Sequence, residues 1–511
     1  MTKKYDIVII GAGHNGLIAA TYLAKAGQKV LVLEANNEAG GATTSVKVFP
    51  DFDARLSRYS YLVSLLPDKI VNDLNLNFKV LSRRVASYTP YHFQGKNNGL
   101  HISRIWDDQT ANSFNQLPEG ANEWKAWQKF YGDIEQFAQR IAPSMLQQLP
   151  TRSELKKNID IDSVWNDLIE NPIGETISKH FKNDIVRGVV LTDGLIGTFT
   201  SAFTLQANIC FLYHLIGNGN GEWKVPQGGM GALVKELERV ATAAGVTIAL
   251  NSRVTKVASD AKEVVVTLDD GSSFASSYLL SNAAPQTLAK LRGKNPPSSL
   301  DGSQMKINML VKQLPRLKSG ADPRDAFAGT FHINESFTQL EKAYEQAKSG
   351  KMPDNLPLEI YCHTLTDPTI LSADLQSKGY HTLTLFGLHT PATLFDKNNN
   401  ATREEALKAA IQSLNQYLED PIESVLAKSN DGELTIEAKT PQDIEEAIGL
   451  PRGNIFHRDL AFPFRENDEA PGWGVETDDP RIFICGAGAK RGGGVSGIPG
   501  HNAAMAVLER A

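Results

Sequence analysis

The sequence predicts an α/β fold built around a dinucleotide-binding βαβ unit, with a mixed α+β region inserted into it. Three observations carry the prediction. A strand, a glycine turn, a helix, a second strand and an acid follow one another without a break at the start of the chain. A strand, a glycine-rich loop and a helix close it, and a long middle stretch mixes both element types.

Tyr5 to Ile10 reads as a buried strand, and Gly11-Ala12-Gly13-His14-Asn15-Gly16 follows at once. Leu17 to Ala26 has the small and apolar residues of a packed helix, which Gly27 ends. Gln28 to Leu33 is the second strand and finishes on Glu34. The chemistry requires these types. Gly11 permits the tight turn, Gly13 lets the backbone approach a pyrophosphate, and Gly16 lets the helix pack closely on the strand. The helix N-terminus offers free N–H groups and a positive dipole end to the phosphates. Glu34 accepts hydrogen bonds from the adenosine ribose hydroxyls and disfavours a 2′-phosphate. Ala12, Asn15 and Ala35 adjoin these positions and complete the candidate cradle, while His14 occupies a permissive place in it.

At the other end Arg481 to Cys485 reads as a strand, Gly486-Ala487-Gly488 as a turn, Arg491 to Gly497 as a glycine-rich loop, and Ile498 to about Glu509 as a helix. Pro499 suits the first turn, where a missing N–H costs little. Such a helix N-terminus, facing the pyrimidine edge of a flavin, would stabilise the negative charge of the reduced ring. The choice of flavin rests on similarity: Glu38-Ala39-Gly40-Gly41-Ala42-Thr43-Thr44 follows Glu34 directly, and large flavoprotein families carry a Gly-Gly pair there. The expected cofactor is therefore FAD rather than NAD. There is no second fingerprint for NADPH, since Gly217, Gly219 and Gly221 alternate with the wrong spacing and read as a surface turn.

Composition excludes several classes. A net charge of -6 without long like-charge runs gives no reason to expect nucleic acid. Cys210, Cys362 and Cys485 lie far apart and form no C-x-x-C, which argues against a redox disulfide, a metal site or a secreted, disulfide-stapled domain. Cys485 reads as a packed core thiol. Lys3 and Lys4 precede an apolar run, but Asp6 and the glycine turn interrupt it, so no leader is read there. No window of about 18 apolar residues suggests a spanning helix. A cytoplasmic protein is expected, with peripheral membrane contact left open.

Between the ends, Pro226 to Leu233 opens an amphipathic helix to about Ala244, and Val246 to Ala249, Val254 to Val257, Val264 to Leu268 and Tyr278 to Leu280 read as strands. Leu358 to Cys362 and Thr382 to Phe386 read as strands of the insertion, and Leu195 to Ile216 as core or the wall of an apolar pocket. The expected organisation is a discontinuous FAD-binding domain from residues 1–85, 220–300 and 455–511, with a substrate domain from residues 86–219 and 301–454.

Together Val8 to Ala20, Leu33 to Thr44, Arg58 to Leu66, Val225 to Leu233, Gly453 to Asp459 and Ile482 to Ala504 resemble the phytoene desaturase superfamily. The resemblance is closest to its branch of carotenoid ketolases and pyridine nucleotide-disulfide oxidoreductase domain-containing protein 2. It implies that Gly11, Gly13, Gly16, Glu34, Gly40 and Gly41 hold the ADP half of FAD, with the backbone of Val254 beside the adenine. It places Gly486, Ala487, Val495, Ser496 and Gly497 near the ribityl and isoalloxazine. Several relatives have arginine where this chain has Ala42, so backbone or Thr43 is left to meet the pyrophosphate. Arg58 and His501 are the catalytic candidates, and Lys490 and Arg491 read as phosphate neighbours or plain surface. The implied activity is oxidation of a hydrophobic isoprenoid or polyene by desaturation, isomerisation or ketolation, through hydride transfer to flavin N5 or oxygen activation. A flavin amine oxidase and a non-catalytic binding protein on the same fold are the alternatives.

Overall fold

Short apolar runs punctuated by glycine give this chain parallel strands buried on both faces. The computed structural model describes residues 3–217 and 219–510. Lys3–Ile10 lies at the centre of the first sheet, flanked in parallel by Val30–Leu33 and Ser273–Ser281. Thr247–Ala249 extends the sheet beyond Val30–Leu33. The far edge of Ser273–Ser281 is shared. Its first half takes the antiparallel hairpin Val254–Ser259 and Val264–Leu268, and its second half takes Ile482–Ile484 in parallel. The two ends of the sequence therefore meet in one sheet.

Helix His14–Lys25 packs against Ile498–Leu508 and Met230–Ala243. The approach to Ile498–Leu508 depends on a missing side chain, because a Cβ on Gly500 would stand 2.2 Å from the Asn15 carbonyl oxygen. Two boundaries differ from the sequence reading. The second strand begins at Val30, since the left-handed Gly27 and the Gln28 N–H bonded to Leu23 O close the preceding helix. Ser273–Ser281 is far longer than its apolar centre, because its polar first half gains a hairpin partner.

A second sheet of seven strands runs Ile436–Lys439, Met305–Val311, His381–Gly387, Leu358–Tyr361, Thr330–Ile333, Val85–Phe93, Lys96–Ser103. All neighbours are antiparallel except Thr330–Ile333 with Val85–Phe93. A helical layer of Gly120–Ile141, Ile173–His180, Asp184–Thr192 and Leu205–Ile216 shares an aromatic core around Trp127, Phe130, Phe137, Phe181 and Phe211. Among the described residues no helix is long and apolar enough to cross a membrane. All three cysteines are buried free thiols.

Candidate active site

The glycine turn is built by backbone bonds. Gly11 N–H donates to Leu33 O at 2.8 Å, and Gly40 N–H donates to Ala12 O at 3.0 Å, so the first turn and the later Gly-Gly pair are clipped together. Glu34 is 7% exposed and clamped at both oxygens, accepting from Ala12 N–H at 2.8 Å and from Asn36 N–H at 3.0 Å. The carboxylate organises the turn as well as facing the ligand space. A Cβ on Gly13 would lie 2.7 Å from Asn282 Nδ2, and one on Gly16 would lie 2.3 Å from Gly11 O. The turn is thus a cradle that side chains would fill.

A cavity of about 980 Å³ runs from this cradle between the two sheets. Gly11, Gly13, Asn15, Glu34 and Ala35 border it, as do Gly40, Gly41 and Ala42. Val254, Ala487 and Val495 border it as well. Ala12, Gly16, Gly486 and Gly497 stand behind that surface and shape it. Gly486 leaves room for Asn282 and Gly497 for Ile18. Ser496 is buried, and its hydroxyl accepts from Ile498 N–H at 3.3 Å, opening the last helix.

Several expected roles need correction. Thr43 is fully buried and spends its hydroxyl on Gly40 O at 2.6 Å, so of Thr43 and the backbone it is the backbone that is left to meet a pyrophosphate. Arg58 is outside the cavity lining. Its Nε donates to Glu437 Oε2 at 3.0 Å and its Nη2 to Oε1, tying the segment after the Gly-Gly pair to the edge of the second sheet. His501 is also outside the lining. It is buried edge-on against Tyr22 and bonded to Asn502 at 2.9 Å. Arg491 is neither surface nor a phosphate neighbour but is 1% exposed, donating to Ser144 O and Trp473 O. Lys490 pairs with Glu469. The supposed surface turn contributes Asn220 and Gly221 to the cavity. For Arg58→Leu we expect a loss of about 1 kcal/mol of stability, because its ion pair is only partly exposed, with FAD content unchanged. Urea unfolding and absorbance of the purified variant check both parts.

The polar atoms left without partners show where a ligand belongs. His14 Nε2, Asn15 Oδ1 and His457 Nδ1 are buried and without a hydrogen bond on residues that border the cavity, as are Gln304 Nε2 and Lys306 Nζ. Buried polar groups are normally satisfied, so this concentration marks a place for a polar ligand. At the cradle it fits the phosphates, ribose and ring edge of FAD. Burial lowers His14 and His457 to about 4, so both face the cofactor space as neutral imidazoles.

Sequence reasoning missed the opposite wall. Lys306 is 1% exposed, with Nζ 3.8 Å from the Tyr61 ring centre and 4.2 Å from that of Phe386, and burial drives its pKa well below that of a free lysine. A single charged residue in the run Met305–Val311 was the available signal. Glu359, His332, Asp193, Tyr361 and Arg83 line the same space. Burial raises Glu359 to about 8, with the neighbouring Glu335 carboxyl adding to the shift. Because the folded protein holds a proton that the unfolded chain releases above about 4.5, stability is full below that pH and is lost as pH rises through about 8. The midpoint of urea unfolding should therefore fall between about pH 6.5 and about pH 8.5, and the fall should shrink in Glu359→Gln.

Comparison with known proteins decides the family. Residues 16–425 match the model of flavin containing amine oxidoreductases. The chain belongs to this family. Its relatives include pyridine nucleotide-disulfide oxidoreductase domain-containing protein 2 of Mus musculus, 30% identical over 99% of this chain and 94% of that one. An uncharacterized protein of Mycobacterium tuberculosis is 42% identical over 99% of this chain and 97% of its own. Prolycopene isomerase of Arabidopsis thaliana is 26% identical over 81% of this chain and 69% of that one. Among solved structures, a putrescine oxidase variant superposes with a TM-score of 0.61 at 17% identity over all of both chains. Cyclohexylamine oxidase from Brevibacterium oxydans gives 0.55 at 15% identity over 99% of each. At that identity the superpositions speak for the fold alone. The family membership bears out the superfamily, the α/β flavoprotein fold and FAD as cofactor, and makes this family member a flavin-dependent oxidoreductase.

Proposed function

We propose that this oxidoreductase acts on a hydrophobic, isoprenoid or polyene substrate by desaturation, isomerisation or ketolation. The observation that carries the reading is the continuity of one cavity from the glycine cradle into a chamber walled by Trp127, Tyr131, Ile134, Val189, Ile196 and Leu460. Bound FAD supplies a two-electron centre that accepts a substrate hydride or, when reduced, engages oxygen. The chain's own work is then positional. The aromatic and aliphatic walls exclude water and hold a long apolar molecule by buried area, roughly 25 cal/mol per Å² removed from water. Lys306, an amine buried beside Tyr61 with no hydrogen-bond partner, is placed to accept a proton in the same space. The similarity to prolycopene isomerase over 81% of this chain supports an isoprenoid substrate.

An amine oxidase reading draws on the family description and on Asp193 and Glu359, carboxyl groups on the cavity wall that could meet an ammonium group. Incubation of the FAD-loaded protein with acyclic carotenes and, separately, with aliphatic mono- and diamines separates the two. Mass-shifted or isomerised carotene products are expected. Aldehyde and peroxide from an amine, with carotenes returned unchanged, would replace this reading with the alternative.

A further inference from the structure

We propose that Glu359, His332, Tyr361 and Arg83 form a subsite for an uncharged oxygen function, a hydroxyl or carbonyl, at the end of an otherwise apolar substrate. The inference rests on the hydrophobic-substrate reading and narrows it. His332 and Glu359 face each other across the paired strands Thr330–Ile333 and Leu358–Tyr361, and Tyr361 follows Glu359 by two residues. The period of a strand therefore turns all three to one face of the sheet, where they line the cavity.

Their bonds fix the wall. The Tyr361 hydroxyl donates to Glu359 Oε2, and His332 Nδ1 lies 2.6 Å from Glu335 Oε2, which also accepts from the Thr192 hydroxyl at 2.6 Å. Arg83 donates through Nε to Trp223 O and through Nη1 to Thr330 Oγ1, each at 3.2 Å. Glu335, 1% exposed, stands behind the cavity lining and holds the His332 ring from that side. Val189 and Ile196 line the cavity with Asp193, which sets an apolar surface beside the polar one.

An unfunctionalised hydrocarbon would strip water from these groups and return no hydrogen bond. A fixed charge is no better served. An ammonium group would meet the Arg83 guanidinium, and a carboxylate would meet Asp193. A hydroxyl or carbonyl oxygen accepts from the donors without importing charge, and a hydroxyl also donates to a carboxyl oxygen. Burial lowers His332 and raises Glu359 to about 8, which keeps the wall nearly neutral and gives Glu359 a proton to donate. A bound cation is the competing use of His332, Glu335 and Glu359, whose ligating atoms lie within 4.8 Å of one another. The 2.6 Å His332–Glu335 contact has the length of a direct hydrogen bond between the two groups.

The test uses FAD-loaded protein and four probes that differ only at one end: octane, 1-octanol, octylamine and octanoate, each titrated by calorimetry. Octanol is expected to bind roughly three- to tenfold tighter than octane and tighter than either charged probe. The preference should vanish in Glu359→Leu and persist in Glu359→Gln. Arg83→Met is the second variant should Glu359→Leu not fold, and it should also erase the preference. Octane binding as well as octanol, or an unchanged preference in the apolar variant, would overturn the subsite and leave the hydrophobic-substrate reading standing. A charged probe binding tightest, or stoichiometric zinc or manganese in dialysed protein, would overturn it in favour of an ion. If none of the four binds to protein that carries FAD, both readings fall.

Discussion

Alanine in place of Gly16 is expected to yield protein that carries less than about a tenth of the FAD of the parent chain and unfolds about 1–3 kcal/mol more easily, the usual cost of an overpacked core. The reason is local. The new Cβ would sit 2.3 Å from the carbonyl oxygen of Gly11, a backbone atom that cannot turn aside as a flexible side chain could. Relieving the overlap moves the helix His14–Lys25 away from the end of Lys3–Ile10, and with it the N–H groups that face the phosphates. Gly132→Ala is the matched control. It lies inside Gly120–Ile141 with nothing within 4 Å of the added methyl, and should leave FAD content intact while raising helix stability by up to about 1 kcal/mol. Absorbance ratio and urea midpoint of the two variants make the comparison.

Glu34→Ala should weaken FAD binding by more than about tenfold, roughly 1.4 kcal/mol, because two effects add. The substitution removes a carboxylate that borders the ligand space, and it leaves the N–H groups of Ala12 and Asn36 without their acceptors. Stranding such donors costs about 1–3 kcal/mol each when they stay dry. Glu34→Gln keeps one carbonyl acceptor and should fall between the two. Fluorescence titration of deflavinated protein with FAD gives the order parent, glutamine, alanine if this account of Glu34 is right. Equal affinities would mean that the carboxylate serves only the fold.

Much of the cradle could be read from the chain because its chemistry is local. Gly11, Gly13, Gly16 and Glu34 fall in one βαβ unit, and the bonds Gly11 N–H to Leu33 O and Ala12 N–H to Glu34 join residues within it, although Asn282 also reaches Gly11 from far along the chain. The same locality explains why the strand Ile482–Ile484 and the helix after it were visible. The substrate wall was not. Lys306, His332, Glu359 and Arg83 come from four strands or strand ends whose order in the sheet no local pattern dictates. Arg58 and His501 illustrate the opposite error. Both lie close in sequence to residues of the cradle, yet each is turned away by a partner far along the chain or on a packed neighbour, Glu437 for Arg58 and Tyr22 for His501. Arg491 was misread because an arginine in a glycine loop looks solvated, whereas the carbonyls of Ser144 and Trp473 let it be buried.

The central claim is that one cavity joins an FAD cradle to a chamber for an apolar substrate. It is tested most directly by the visible spectrum of the purified protein, recorded anaerobically before and after adding a polyene extract. The account predicts flavin bands on the isolated protein and their bleaching by the extract, with no bleaching by an equal volume of solvent. Colourless protein that also takes up no added FAD would contradict it.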